Sequence, residues 1–398
     1  MSSKATAIAV FDISSSSVGG AHALIQKNPL PRNAAEGQIP TTKVSLLVQD
    51  RRDTGLEEEL NIEHFVNDTA RSLEAVIDHV RNGDVHHPDV IQVVLASPWY
   101  STHIRTISLN KTTTFTCTKR LVEMLVEKEI AFLLKQELEN GEAFGKGFTV
   151  VEQQLSNIML NGYATGDPYG KKTQSIELVL TITVVPETVV ERFKSILRRS
   201  YGDRTINVTT GPYATYVALR DNGGVPPDCL IIDVGEEVTD IAFVKNNIFL
   251  YQHSFPVGTY ELYRAIGKGS GTNVESRAML EAYRLGKLTP SKTILMKKHL
   301  HSFSKVWQRA LQEVVESGHY GFQFPDTCYI MGDARFAEFF TALISTDEFL
   351  RHGASVDTIN AIFVDPMSTT ATITTTSGEA PDPALSVAAL FSERLLYY

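Results

Sequence analysis

Two short stretches hold residue types that could do chemistry together. "AVFDISSSSVGG" at residues 9–20 ends an apolar run on Asp12 and follows it with Ser14, Ser15, Ser16 and Ser17. "IIDVGEEVTDIA" at residues 231–242 ends a similar run on Asp233 and continues through Gly235, Glu236, Glu237, Thr239 and Asp240. A turn that presents consecutive backbone N–H groups and small hydroxyls makes an anion-binding nest, and an adjacent aspartate can hold hydrated Mg2+ through its waters. The chemistry on offer is therefore phosphate and Mg2+ binding. Taken alone, a serine cluster after a strand also fits a solvated turn. Two such hairpins heading successive α/β segments, with a third strand–turn–helix at Gly332, suggest a duplicated fold whose lobes face each other across a cleft.

The elements that must position these residues follow from periodicity. Residues 6–13 and 18–25 are short, apolar or small, and bounded by turn formers, as strands on either side of the serine turn would be. After a polar loop containing Pro29, Pro31, Gly37 and Pro40 come a strand in "KVSLLVQ", a helix with Phe65, Leu73, Val76, Ile77 and Val80 at helical spacing, and a buried-type strand "VIQVVLASP". Residues 97–193 change character: "THIRTISLN", the helical run "KRLVEMLVEKEIAFLLKQEL", then two strand runs separated by Gly-Asp-Pro-Tyr-Gly at 166–170. They read as a small α+β unit inserted into the first lobe, with Trp99 and Tyr100 as its packing hinge. The expected organisation is a first lobe at 1–96, the insert at 97–193, a connecting helix at 194–222, a second lobe at 223–378 and a final helix at 379–398 that returns to the first lobe. Asp382 and Pro383 open that last helix as a cap and first-turn pair. The Thr-rich piece at 368–377 reads as a solvated loop or edge strand.

Composition narrows the function classes. With 398 residues, 43% hydrophobic and 21% charged, the chain is a folded protein of more than one lobe. A net charge of −9 without a basic segment argues against nucleic acid as a partner. Cys117, Cys229 and Cys328 lie far apart, which signals neither a disulfide framework nor a zinc site, and a reducing cytoplasm is the expected location. No run approaches the roughly 20 apolar residues of a membrane span, and Arg394 is the one cation on the last helix's polar face, so no direct membrane anchor is expected. "GKGSG" at 267–271 lacks the spacing and terminal Lys-Ser/Thr of a phosphate loop and reads as a connection. His86–His87 and His299–His301 lack neighbouring metal-ligand partners.

"DISSSSV", "PYATYVAL", "LIIDVGEEVTDIAFV", "FPVGTYELYRAI" and "YIMGDARFAEFF" resemble, in order, the first phosphate motif, first connecting helix, second phosphate motif, trailing glycine turn and adenosine motif of actin-fold ATP-binding proteins. Within that superfamily the chain is similar to the bacterial cell-division protein FtsA and to its relative PilM of type IV pilus assembly, which carry an inserted subdomain at this point. "NIMLNGYATGDPYGKKTQSIELVLTITVV" is particularly similar to the FtsA insertion. The resemblance implies a duplicated, two-lobed actin-like (ribonuclease H-like) α/β fold that takes ATP or ADP with Mg2+. It further implies that Asp12 and Asp233 flank Mg2+, that Ser14, Ser15 and Ser16 touch the β- and γ-phosphates, and that Gly235 and Thr239 line the second phosphate turn. Gly258 would close near the nucleotide, while Gly332 and Asp333 would lie against adenine or ribose.

Two departures from the family pattern bear on the ligand. Ser14 stands where the family has glycine, and Glu236 and Glu237 bring two carboxylates into the second turn, where like charge opposes a triphosphate unless they point away or a metal intervenes. The function implied is an FtsA-like scaffold in cell division, at most a weak ATPase, which recruits membrane-associated partners through the insert and self-associates as a dimer or polymer. A PilM-like pilus protein, a kinase of the same superfamily and a nucleotide-free structural relative stand as alternatives; no residue offers itself as a kinase base.

Overall fold

A computed structural model describes residues 5–28, 41–54, 62–82, 87–140, 147–267, 273–317, 325–345, 359–365 and 369–397. The proline-bearing loop at 29–40, most of the "GKGSG" stretch and His86 lie outside the described residues.

The first sheet is built from β1 (Thr6–Ile13), β2 (Ser17–Asn28), β3 (Thr41–Asp53), β4 (Val90–Leu95), β9 (Thr205–Thr210) and β15 (Thr372–Thr375), in the order β15-β3-β2-β1-β4-β9. The second is built from β10 (Cys229–Val234), β11 (Thr239–Lys245), β12 (Ile248–Phe255), β13 (Thr327–Gly332) and β14 (Asn360–Phe363), in the order β12-β11-β10-β13-β14. Leaving β15 aside, the two orders are the same. In each, an antiparallel three-strand meander leads into two parallel strands on the far side of the first strand. This is the duplication expected from the paired strand–aspartate–turn motifs. Asn246 and Asn247, with φ of 51° and 62°, close the β11–β12 hairpin in the left-handed conformation such two-residue turns require.

A third sheet, β5-β8-β6-β7, is formed by β5 (Ser101–Thr116), β6 (Phe148–Leu160), β7 (Tyr163–Ala164) and β8 (Lys172–Pro186), and it shares an apolar cluster with α2 (Lys119–Asn140). The Thr-rich piece contains the edge strand β15, which pairs parallel with β3.

Strand parity decides what each side chain of β1 and β10 faces. Ala9, Phe11 and Ile13 pack on one side with α1 (Ile62–Arg81) and α3 (Glu187–Tyr201), while Ile8 and Val10 face a central cluster. In β10, Leu230, Ile232 and Val234 pack with α5 (Thr259–Gly267), α6 (Asn273–Arg284), α7 (Pro290–Ser317) and α8 (Ala337–Ile344), whereas Cys229 and Ile231 join that same central cluster. Two helices occupy the centre: α4 (Gly211–Asn222) and α9 (Pro383–Tyr397). Ala384, Val387, Ala388, Phe391, Leu395 and Tyr398 recur at helical spacing, which by itself gives the last helix one apolar stripe. In the fold Leu385 through Phe391 are all buried, because small residues at 384, 386, 388 and 389 let α9 lie among α4 and strands of the first sheet. Its ends are fixed by ion pairs, Arg51–Asp382 at 2.6 Å and Lys27–Glu393 at 2.8 Å.

Candidate functional site

The parity that sends Ile8 and Val10 inward also places Asp12 on the central face, and Cys229 and Ile231 do the same for Asp233. Both aspartates line one cleft between the lobes, about 340 Å³ in volume, together with Ser14, Gly235, Glu236, Gly332 and Asp333. Six of the ten residues singled out in the sequence therefore converge there: Asp12, Ser14, Asp233, Gly235, Gly332 and Asp333. Gly332 has φ +145°, and a Cβ there would lie 2.8 Å from the Val234 carbonyl oxygen, so this position demands glycine. Asp333 caps the following 3-10 turn through the Arg335 N–H at 2.9 Å and forms a bidentate pair with the Arg335 guanidinium.

The other four lie around the cleft. Thr239 is one residue out of phase with the inward-facing Asp240, so it faces the second lobe's helices; its hydroxyl donates to the Val257 carbonyl at 2.7 Å and accepts from Trp307 Nε1 at 3.1 Å. Gly258 packs beneath the second turn, where a Cβ would come 2.3 Å from the Glu236 carbonyl oxygen; Tyr260 N–H donates to that same oxygen at 2.7 Å. Ser15 and Ser16, at 3% and 2% exposure, are covered by the opposite turn.

Much of the cleft's chemistry comes from residues that carry no local signal. Arg51 on β3 is paired in register with Gly19 on β2, and its guanidinium crosses the spot that a Cβ of residue 19 would fill. From there it pairs with Asp12 at 2.8 Å and Asp382 at 2.6 Å and donates to Ser17 Oγ at 3.0 Å. Asp240 accepts from the Ser97 N–H at 3.0 Å and the Ser97 hydroxyl at 2.5 Å, joining β11 to the start of the insert. Trp99 Nε1 donates to the Ser14 carbonyl at 2.9 Å and its ring stacks on Phe65 at 4.6 Å, so the hinge residue also holds the serine turn. Arg277 on α6 reaches Asp53 on β3 at the cleft wall.

Electrostatically the cleft is over-supplied with acid. Arg51, Arg277 and Arg335 pair with Asp12 and Asp382, Asp53, and Asp333 respectively, which leaves Asp233 and Glu236 without an ion-pair partner among the described residues. Burial, reinforced by Asp240, Asp12 and Glu236, pushes Asp233 well above its ordinary value of 3.8. Burial likewise raises Asp12, against the pull of Arg51, and raises Asp240 and Glu236. The Asp233 carboxylate abuts Gly211, the first residue of α4, where the positive end of the helix dipole favours an anion. A bound cation matches the charge that these carboxylates carry. Among the described residues no group of three or more His, Cys, Asp or Glu side chains is placed to grip a metal directly.

Comparison with solved structures bears on the architecture. The chain superposes on the structure described as the PilM-PilN type IV pilus biogenesis complex with a TM-score of 0.60, at 14% identity, over 97% of this chain and 98% of that one. The chain has the actin-like fold. Weaker likenesses are to the ethanolamine utilization protein EutJ from Carboxydothermus hydrogenoformans (TM-score 0.42, 11% identity, 98% and 91% coverage) and to a Bacteroides thetaiotaomicron protein of actin-like ATPase fold (TM-score 0.40, 11% identity, 97% and 95% coverage). No protein-family model matches the sequence, and no curated protein matches it. Among the described residues no helix is long and apolar enough to cross a membrane.

Proposed function

We propose that this chain is a nucleotide-responsive scaffold: an adenine nucleotide with Mg2+ occupies the interlobe cleft, and an assembly partner docks on the insert. The observation that carries the reading is the convergence of Asp12 and Asp233, from matching hairpins of the two lobes, on one cleft. Asp12 and Asp233 would hold the hydrated metal ion, which supplies positive charge against the phosphates. Gly332 leaves its backbone open for close approach. The nucleotide acts by favouring one arrangement of the lobes, which it can do only through unequal affinity for the two. Titration calorimetry and thermal shift with Mg-ATP and Mg-ADP test this; absence of both heat and shift with either nucleotide refutes it.

A second groove of about 430 Å³ supports the docking part. It is lined by residues 149–154 of β6, residues 206–209 of β9, and Tyr213, Phe391 and Arg394. Among the described residues β9 is the outer strand of its sheet and β7 pairs with β6 at Met159 and Leu160 alone, so two backbone edges without a strand partner there border one groove. That is the setting in which an extended peptide adds as a strand. The partner is proposed to be an extended segment of a membrane-associated pilus-assembly protein, in keeping with the likeness to the PilM-PilN structure. A division role of the FtsA type is the second reading, favoured by the Asp167-Pro168 turn between the insert's long strands. Protection of amides 149–154 and 206–209 from hydrogen exchange on adding the partner is the expected result; unchanged exchange refutes docking there.

A further inference from the structure

Most of the turn groups that would meet an anion are engaged within their own turn or by the opposite one. Ser14 Oγ lies 3.3 Å from Glu236 Oε2, 3.1 Å from the Ser17 carbonyl and 3.0 Å from Ser17 Oγ, so its one proton is shared between the opposite turn and its own, and the Ser16 hydroxyl beside the same carboxylate is buried without a hydrogen-bond partner among the described residues. In return, the Glu237 backbone N–H donates to Ser15 Oγ at 3.2 Å. The N–H groups of Ser16 and Ser17 turn back on Ser14 Oγ at 3.4 and 3.1 Å, and Arg51 is held by Asp12, Asp382 and Ser17. A carboxylate of the protein itself thus lies against the serine turn. To a hydroxyl donor, a carboxylate oxygen and a phosphoryl oxygen are equivalent acceptors. A phosphate arriving between the turns has to displace Glu236 and then sit among Asp12, Asp233 and the expelled carboxylate. Elsewhere in the cleft the acids are matched: Arg277 pairs with Asp53 and Arg335 with Asp333, and Tyr263 Oη is buried there without a hydrogen-bond partner among the described residues.

Resting on the nucleotide reading above, we propose that Glu236 sets the length of phosphate chain that the cleft accepts. Its carboxylate fills the seat of the terminal phosphate between the turns, so the cleft takes a nucleoside diphosphate with Mg2+ and excludes the triphosphate. Glu236 is then a specificity residue, and the sequence departure at 236 is its signature.

Calorimetric titration of wild type, Glu236→Ala and Glu236→Gln with Mg-ADP, Mg-ATP and Mg-pyrophosphate tests the assignment. Wild type is expected to bind Mg-ADP at least about tenfold tighter than Mg-ATP, and Glu236→Ala to bring the two within about threefold by tightening the triphosphate. Pyrophosphate, which probes the seat without the adenosine end, binds Glu236→Ala and not wild type. Glu236→Gln keeps the size and a hydrogen bond to Ser14 while removing the charge; it recovers part of the same shift and serves if the alanine variant does not fold. Equal affinity of wild type for ADP and ATP, or triphosphate and pyrophosphate affinities unmoved in both variants, overturns the proposal. Pyrophosphate binding gained by Glu236→Ala, with no nucleotide bound by any of these proteins, overturns the nucleotide reading and upholds the seat.

Discussion

Replacing Arg51 by methionine removes one guanidinium and leaves two acids without their partner. Asp12 and Asp382 have side-chain exposures of 10% and 17%, so neither regains much water when the cation goes. Removing one partner of a fully buried ion pair costs about 3–5 kcal/mol. Arg51 is itself 30% exposed, and Asp382 keeps the Leu385 N–H as a donor at 3.1 Å, so the expected loss is about 2–4 kcal/mol. Urea unfolding followed by circular dichroism measures it. Asp12→Asn in the Arg51→Met background should return part of the loss, with a coupling of about 1–3 kcal/mol in the double-mutant cycle. The deficit also has a pH signature. Asp12 is raised above 3.8 by burial even with Arg51 present, and without the guanidinium it rises further. Protonation then relieves the unpaired charge, so the deficit shrinks as pH falls toward the ordinary carboxylate range and grows as pH rises. A loss below about 0.5 kcal/mol that is flat with pH would refute the claim that Arg51 organises the cleft.

Three other perturbations follow from the same geometry. Gly258→Ala places a Cβ 2.3 Å from the Glu236 carbonyl oxygen and 2.6 Å from that of Gly235, both backbone atoms, and should cost about 3 kcal/mol in urea unfolding. Because Asp233, Asp240 and Glu236 have folded-state values raised above 3.8, 3.8 and 4.5, the stability they contribute is fully present below those values and is lost as pH rises through the raised ones. Asp233→Asn should accordingly flatten the fall of Tm with rising pH at constant ionic strength; an unchanged slope counts against the cluster. Glu152 accepts from the Thr210 N–H at 2.8 Å, the Thr210 hydroxyl at 3.0 Å and the Thr209 hydroxyl, tying β6 to the start of α4. Glu152→Ala leaves those donors unpaired, and a loss of about 1.5–3 kcal/mol in thermal or urea unfolding is the expected result.

The parts of the site legible in the sequence are those written in consecutive residues. A strand, an aspartate and a turn recur at Asp12 and Asp233, and strand parity suffices to aim both carboxylates inward. The same parity would have excluded Thr239, since it neighbours Asp240 on a strand where Ile241 and Phe243 face the helices. Arg51, Asp53, Ser97, Arg277 and Asp382 were not legible. Each reaches the cleft through pairing between distant segments, such as the Gly19–Arg51 register; at Asp382 the sequence marks a helix cap and a return to the first lobe but not the contact with Arg51. The all-round burial of α9 was hidden for the same reason: spacing marks one stripe through Val387, Ala388 and Phe391, and the burial of Ser386, Ala389 and Leu390 beside it depends on α4 and on strands distant in sequence.

The pairing of β15 with β3, and the seating of α9 beside β1 and β2, have a consequence for biosynthesis. A ribosome delivers β10 through β14 as a block, and that lobe can close its five-stranded sheet while the tail is still in the exit tunnel. The lobe made first must wait: until residues 372–397 emerge, the apolar inner face of β1, β2 and β3 has no lid, and Arg51 meets only one of its two acids. The cleft, whose lining includes Asp382, Ala384 and Val387, is therefore complete only when the last helix is seated.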